Sequence, residues 1–212
     1  MSKYFSNKEI ANMLREVSAA YQVKGGNNFK IIAYQNAADS IEHAASEAKD
    51  LWEVGKLDTL PGVGASIKAH ISELFTTGKV KHFEEVTEDL PQSMFELMKV
   101  RGMGPKTAYK LSKELKIKDL EDLKIKAKRG MIRKLPGFGE KSEKEILTSV
   151  GEFKEPTRHL LTEAYPAAEQ VLSHLRELKE CQQAEPLGSL RRMVATVGDI
   201  DLAVSSKEPK KI

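Results

Sequence analysis

One short pattern, apolar-x-Gly-apolar-Gly, occurs three times in this 212-residue chain. The segments are Leu60-Pro61-Gly62-Val63-Gly64, Val100-Arg101-Gly102-Met103-Gly104 and Leu135-Pro136-Gly137-Phe138-Gly139, with leading glycines 40 and then 35 residues apart. Each opens a stretch with helical periodicity, at 65–75, 105–115 and 140–150. Glycine reaches backbone angles closed to other residues and leaves no side chain where something must approach the main chain. A repeated helix–turn–helix unit follows from this spacing. The start of each following helix presents free N–H groups and the positive end of the helix dipole, which suit a phosphate. Lys68, Lys106 and Lys141 are placed to add charge. A single glycine pair is equally a plain turn between helices; three in register favour the phosphate reading.

Charge is distributed unevenly. Residues 1–98 hold 10 Lys+Arg against 14 Asp+Glu, a net of −4, and residues 145–212 hold 9 against 11, a net of −2. Between them, residues 99–144 hold 15 against 6, a net of +9, and two of the three glycine segments lie there. A basic stretch of this kind fits a polyanion, although a solvated lysine-rich helical face gives the same count. The single cysteine, Cys181, excludes an internal disulfide and a cysteine-based metal cluster. No run approaches eighteen apolar residues and the N-terminus lacks the apolar core of a signal peptide, so a soluble protein of a bacterial-type cytoplasm or of a nucleus, without a membrane partner, is expected.

The rest of the chain reads as mainly helical. Ser6 and Glu9 form a capping box before an apolar face of Ile10, Met13, Leu14, Val17 and Tyr21. A second amphipathic helix is expected over 30–48, with Ile31, Tyr34, Ala38, Ile41 and Ala45 inward, and a long one over 158–180. Strands are expected over 184–190 and 197–204. In the second of these, alternation would put Asp199 and Asp201 on one face and Ile200, Leu202 and Val204 in the core. Two neighbouring carboxylates make a hard oxygen site suited to Mg²⁺ in phosphoryl transfer. Gly188-Ser189 and Arg192, shortly before, supply donors and charge for phosphates.

The glycine segments resemble the helix-hairpin-helix motif of DNA-binding proteins, which grips the phosphodiester backbone without reading bases. Gly188-Ser189-Leu190-Arg191-Arg192 followed by Gly198-Asp199-Ile200-Asp201 resembles the nucleotidyltransferase signature of the family X DNA polymerases. Together, and in this order, they give nearly the whole chain a resemblance to that family, to its polymerase beta-like and bacterial PolX-type members. The resemblance implies a lyase-like helical domain at 1–85 with the first hairpin and a fingers-like domain at 86–152 with the second and third. An incomplete α+β nucleotidyltransferase palm follows at 153–212.

Carried over position by position, Asp199 and Asp201 match two metal-binding catalytic aspartates for Mg²⁺ or Mn²⁺. Gly188, Ser189, Arg192 and Gly198, and more loosely Arg158, match residues at the incoming nucleotide's phosphates. Leu60, Val63, Val100 and Met103 match positions whose carbonyls hold Na⁺ or K⁺, with Asp58 and Met98 as weaker members. Gly62, Gly64, Lys68, Gly102, Gly104, Lys106, Gly137, Gly139 and Lys141 would meet DNA, and Lys30 and Tyr34 match a 5′-phosphate pocket. His70 stands where polymerase beta has its Schiff-base lysine, and an imidazole cannot form that imine. The family's third catalytic aspartate would lie beyond Ile212. The resemblance therefore implies a monomeric, DNA-binding part of a gap-filling, base-excision-repair polymerase, acting on gapped or nicked DNA with dNTP. This chain alone is expected to bind without polymerising. A helix-hairpin-helix binding module with no chemistry, and a nucleotidyltransferase for a small acceptor, are the competing readings.

Overall fold

The computed structural model describes residues 5–153, 159–194 and 196–211. The chain divides into two compact units, Met1–Phe153 and Lys154–Ile212. Arg158 lies outside the described residues.

The first unit is all helical among the described residues. Helix α1 (Asn7–Val23) starts at the Ser6–Glu9 capping box: Ser6 Oγ accepts the Glu9 amide, and Glu9 accepts the Ser6 amide at 2.8 Å. Helices α2 (Asn28–Glu42), α3 (Ala48–Glu53), α4 (Ala65–Thr77) and α5 (Lys81–Thr87) follow. Their apolar faces close on Ile10, Leu14, Val17, Ile41, Leu57, Ile71 and Phe75. Trp52 packs tilted on Phe75 at 5.2 Å and donates its Nε1–H to Ser72 Oγ. Helices α6 (Gln92–Leu97), α7 (Pro105–Glu114), α8 (Leu120–Lys128) and α9 (Glu140–Glu152) close a second core around Met94, Leu97, Leu111, Leu123 and Ile132. Short 3₁₀ turns, Leu57–Thr59 and Ile132–Lys134, precede the first and third hairpins.

The stretches 1–85 and 86–152 therefore lie inside one unit, because α1 serves both cores. Leu14 and Val17 face the first, and Ala19 and Val23 pack into the second. Alanines at 19 and 20, both buried, leave room for close approach on that side. The buried Asn7 side chain ties the start of α1 to the segment before α3, donating to Ser46 O and accepting the Ala48 amide at 2.7 Å. Helix α2 spans 28–42 rather than 30–48; Ala45 lies past its end and is exposed.

In the second unit, α10 (Leu161–Glu177) packs on β2 (Cys181–Pro186), which pairs antiparallel with β4 (Leu202–Ser206). Strands β1 (His159–Leu160) and β3 (Thr196–Val197) form a second antiparallel pair. Its core is small: Ala164, Ala168, Leu190 and Val197.

Two strand expectations change here. The stretch expected as a strand over 184–190 is instead the end of β2 and the one-turn helix α11 (Gly188–Arg191). The segment 197–204 is two strands separated by a bend at 198–201, so strict alternation does not apply to Asp199 and Asp201. Ile200 and Val204 are 42% and 39% exposed rather than core, because Ile200 sits in the bend and β4 belongs to a two-stranded ribbon.

Gly62 and Gly102 both have φ near +80°. A Cβ at 62 would lie 3.0 Å from the Ala37 amide nitrogen and from Asn36 Cβ on α2, whereas a Cβ at 102 would meet nothing within 4 Å. Gly102→Ala should therefore cost only the left-handed backbone penalty, about 1–2 kcal/mol. Gly62→Ala should cost that and the displacement of α2, about 2–4 kcal/mol in total. Urea denaturation of both variants checks the order.

Candidate nucleic-acid interface

All three hairpins share one backbone geometry. The amide after the leading glycine bonds back three residues: Val63 to Leu60 O at 3.1 Å, Met103 to Val100 O at 3.0 Å and Phe138 to Leu135 O at 3.0 Å. The leading glycines Gly62, Gly102 and Gly137 are left-handed, with φ of +80°, +81° and +84°. The trailing glycines Gly64, Gly104 and Gly139 are extended N-caps, and no side chain caps any of the three helices. The apolar residue between the glycines points down: Val63 and Met103 are buried and Phe138 half-buried. The six glycines are exposed, so the free amides at the start of α4, α7 and α9 face outward.

The charges around them differ. Lys68 is tied to Asp58 at 2.9 Å, and that bond holds the Asp58 carboxyl below its ordinary range. Lys106 is exposed and borders a cavity of about 450 Å³ with Gln22, Asn28 and Gln35. The first turns of α4 and α7 carry no acidic residue. The first turn of α9 carries Glu140 and Glu143. Glu143 is fully buried and accepts the Arg133 amide at 3.0 Å and Arg133 Nε at 2.6 Å; Glu140 takes Arg133 Nη1 at 2.7 Å. Lys110 of α7 donates to the Pro136 carbonyl at the hairpin tip and stands 5.6 Å over the Phe138 ring. The third hairpin is thus fastened to its own unit, with two carboxylates at its helix start. Lys141 there is exposed. Neither Lys110 nor Arg133 stands out in the sequence, since both act across loops.

Lys30 and Tyr34 lie one turn apart on α2. Lys30 Nζ stands 5.4 Å over the Tyr21 ring. Tyr34 is buried, and burial followed by the neighbouring Tyr21 pushes its hydroxyl up to about 12. Beside it His70 and His82 stack face to face. His82 carries no motif in the sequence; its place is set by packing of α5 on α1.

In the second unit the Gly188–Arg192 segment meets the Gly198–Asp201 segment. The Leu187 amide donates to Asp201 O at 2.8 Å, and a Cβ on Gly188 would lie 2.6 Å from Asp201 Oδ2. Glycine at 188 therefore lets the carboxylate settle against the turn. Asp199 borders a cavity of about 450 Å³ with His159, Glu163 and Gly198. Asp199 and Asp201 are exposed, Ser189 and Arg192 half-buried. Arg192 Nε is buried and meets no hydrogen-bond acceptor among the described residues. Those residues hold no group of three or more His, Cys, Asp or Glu able to bind a metal.

The comparisons with known proteins agree with these elements. Residues 5–80 match a helix-hairpin-helix domain model, and residues 94–151 match a SAM-like helix-hairpin-helix tandem. The chain is 32% identical over 206 residues to the DNA polymerase/3′-5′ exonuclease PolX of Bacillus subtilis, covering 97% of this chain. The chain is thus homologous to part of a family X DNA polymerase. It is also 29% identical over 207 residues to DNA polymerase lambda of Arabidopsis thaliana, covering 94% of this chain. It spans about a third of the length of these relatives, 36% and 35%. An alignment of 206 of 212 residues includes the second unit, so the resemblance is not confined to the hairpins.

The Glu143 pair has a definite pH signature. Burial raises this carboxyl, and the bonds from the Arg133 backbone and side chain outweigh it, leaving it below the ordinary value of 4.5. A lowered folded-state value contributes stability above the unfolded-state value and loses it as pH falls below about 4.5 toward the lowered one. Glu143→Gln should lower the Tm at pH 7 and shrink the wild-type loss of Tm between pH 5 and 3. Thermal melts across that range read both.

Proposed function

We propose that this chain is the DNA-gripping region of a family X polymerase, and that it holds gapped or nicked DNA through its first two hairpins. The observation that carries this is the pair of uncapped, acid-free helix starts behind left-handed glycines, one beside Lys68 and the other beside Lys106. Two or three outward N–H groups on a helix dipole form a phosphate site that depends on no base identity. Gly62, Gly64, Gly102 and Gly104 let the backbone approach. The third hairpin, with Gly137, Gly139 and Lys141, contributes less because Glu140 stands at its helix start. The carbonyls of Leu60, Val63, Val100 and Met103 would hold Na⁺ or K⁺ between hairpin and phosphate. Those of Leu60 and Val100 each accept one amide and keep a second lone pair. Lys30 and Tyr34 would receive the 5′-phosphate end of a gap.

The second unit would bind the incoming dNTP. Asp199 and Asp201, an all-oxygen pair, fit Mg²⁺, which binds through one or two carboxylates plus substrate phosphates. When bound, the ion would supply charge neutralisation at the reacting phosphates. Ser189 and the α11 amides would donate to phosphate oxygens. Arg192, whose buried Nε meets no acceptor among the described residues, would find one there. Arg158 and Gly198 complete the proposed phosphate contacts. The activity served is gap-filling nucleotidyl transfer in base-excision repair, in the cytoplasm or on the nucleoid, by a monomer.

Binding to a one-nucleotide gapped duplex across a salt series tests the grip. The logarithm of the binding constant should fall linearly with that of salt, and Lys106→Ala should weaken binding and reduce the slope by about 1. A salt-independent affinity, or an unchanged slope in the variant, contradicts the reading. In any polymerase carrying this region, Asp199→Ala should abolish Mg²⁺-dependent incorporation while leaving gapped-DNA binding in place. Primer extension and binding, run together, separate the two.

A further inference from the structure

The side-chain charges at the three hairpins are graded in a way that their shared backbone does not require. The second hairpin carries Arg101 and Lys106, both exposed and without an ion pair among the described residues. The third carries Glu140 and Glu143 at its helix start, held by Arg133. The first stands between them. Lys68, in the helix that follows it, gives its ammonium to Asp58 Oδ2 at 2.9 Å. Asp58 lies in the 3₁₀ turn just before the hairpin and Lys68 in the first turn and a half of α4, so the pair joins the two arms of the hairpin. Both side chains meet solvent, 56% exposed at Asp58 and 35% at Lys68. The bond to Lys68 is the main influence holding the Asp58 carboxyl below its ordinary range.

We propose that Asp58 is a positioning residue for DNA binding: it holds Lys68 off the phosphate at the start of α4, so that the first hairpin grips through backbone amides and the second is the main anchor. This rests on the gapped-DNA reading and ranks the two hairpins which that reading uses.

Side chains on a helix lean toward its N-terminus, so Lys68 without its partner is in reach of a phosphate on the α4 amides. An exposed ion pair is weak and a phosphate can compete for the lysine, but the exchange leaves a carboxylate beside that phosphate. In either state the side chains at 58 and 68 add no net charge to the first hairpin. At the second, Arg101 and Lys106 add two positive charges, and the first turn of α7 holds no acid. A lysine that neutralises a phosphate releases counter-ions from the DNA, and one already paired with a carboxylate has less charge to offer. The pair therefore acts on the strength and salt dependence of the grip. The hairpin backbone itself is set by left-handed Gly62 and the Val63 bond to Leu60 O.

The test is binding of the whole chain to a one-nucleotide gapped duplex across a salt series. Asp58→Asn keeps the shape of the side chain and removes its charge. It should tighten binding roughly three- to fivefold at about 0.1 M salt and steepen the salt slope by about 1. A gain of affinity cannot come from misfolding. Asp58→Glu, which keeps a carboxylate within reach of Lys68, should bind as the unaltered chain does. Adding Lys68→Ala to Asp58→Asn should remove both the gain and the extra slope. The Lys68 side-chain ammonium resonance should stay in place when duplex is added to the unaltered chain and shift in Asp58→Asn, a readout that a merely structural pair would not move. Unchanged or weaker binding by Asp58→Asn, a gain that survives Lys68→Ala, or Asp58→Glu binding like Asp58→Asn overturns the proposal while the gapped-DNA reading stands. So does a Lys68 ammonium that shifts with DNA in the unaltered chain. Absence of binding by the unaltered chain overturns that reading as well.

Discussion

The structure turns on a left-handed glycine. At Gly62, Gly102 and Gly137 the chain reverses within one residue, so the next apolar side chain drops into the core and the next helix begins with its amides facing out. A Cβ-bearing residue in that conformation costs about 1–2 kcal/mol. At Gly62 it would also collide with the backbone of α2. That collision links the two roles of the hairpin. The geometry that exposes free N–H groups is the same one that seats Val63 against the first core. Exposure of the amides and packing therefore cannot be tuned separately at that position.

Three copies of one backbone do not make three equal sites. The first and second helix starts carry no acid in their first turns, while the third carries Glu140 and the buried Glu143. Arg133 pairs with both, and Lys110 reaches across from α7 to the hairpin tip. These bonds make the third copy a fastening between α7, α8 and α9. Sharing of α1 between the two cores then sets the first two hairpins within one compact unit. A duplex held at both would meet a fixed spacing rather than two independent grips.

Much of this was legible in the sequence, and the reasons are local. The capping box at Ser6 and Glu9, the hairpin glycines and the helices after them depend on neighbours within a few residues, and they appear close to where the pattern puts them. The errors came where tertiary context decides. Alternation over 197–204 suggested one strand, but the chain bends at 198–201 and leaves Ile200 exposed. Gly188 looked like a strand residue; it is left-handed, opens a helical turn and leaves space for Asp201. The His70–His82 stack and the Lys110 fastening join residues 12 and 26 apart through packing between elements. No periodicity reports such contacts. His82, which carries no motif in the sequence, is one half of a defined pair.

The central claim is that backbone amides at the first two hairpins hold DNA more strongly than those of the third. The most direct measurement is of amide chemical shifts in ¹⁵N-labelled chain titrated with a gapped duplex. The account predicts large shifts at Ala65, Ser66, Lys106 and Thr107, with smaller ones at Lys141 and Ser142. Equal shifts at all three helix starts, or shifts confined to side chains of the basic stretch, would contradict it.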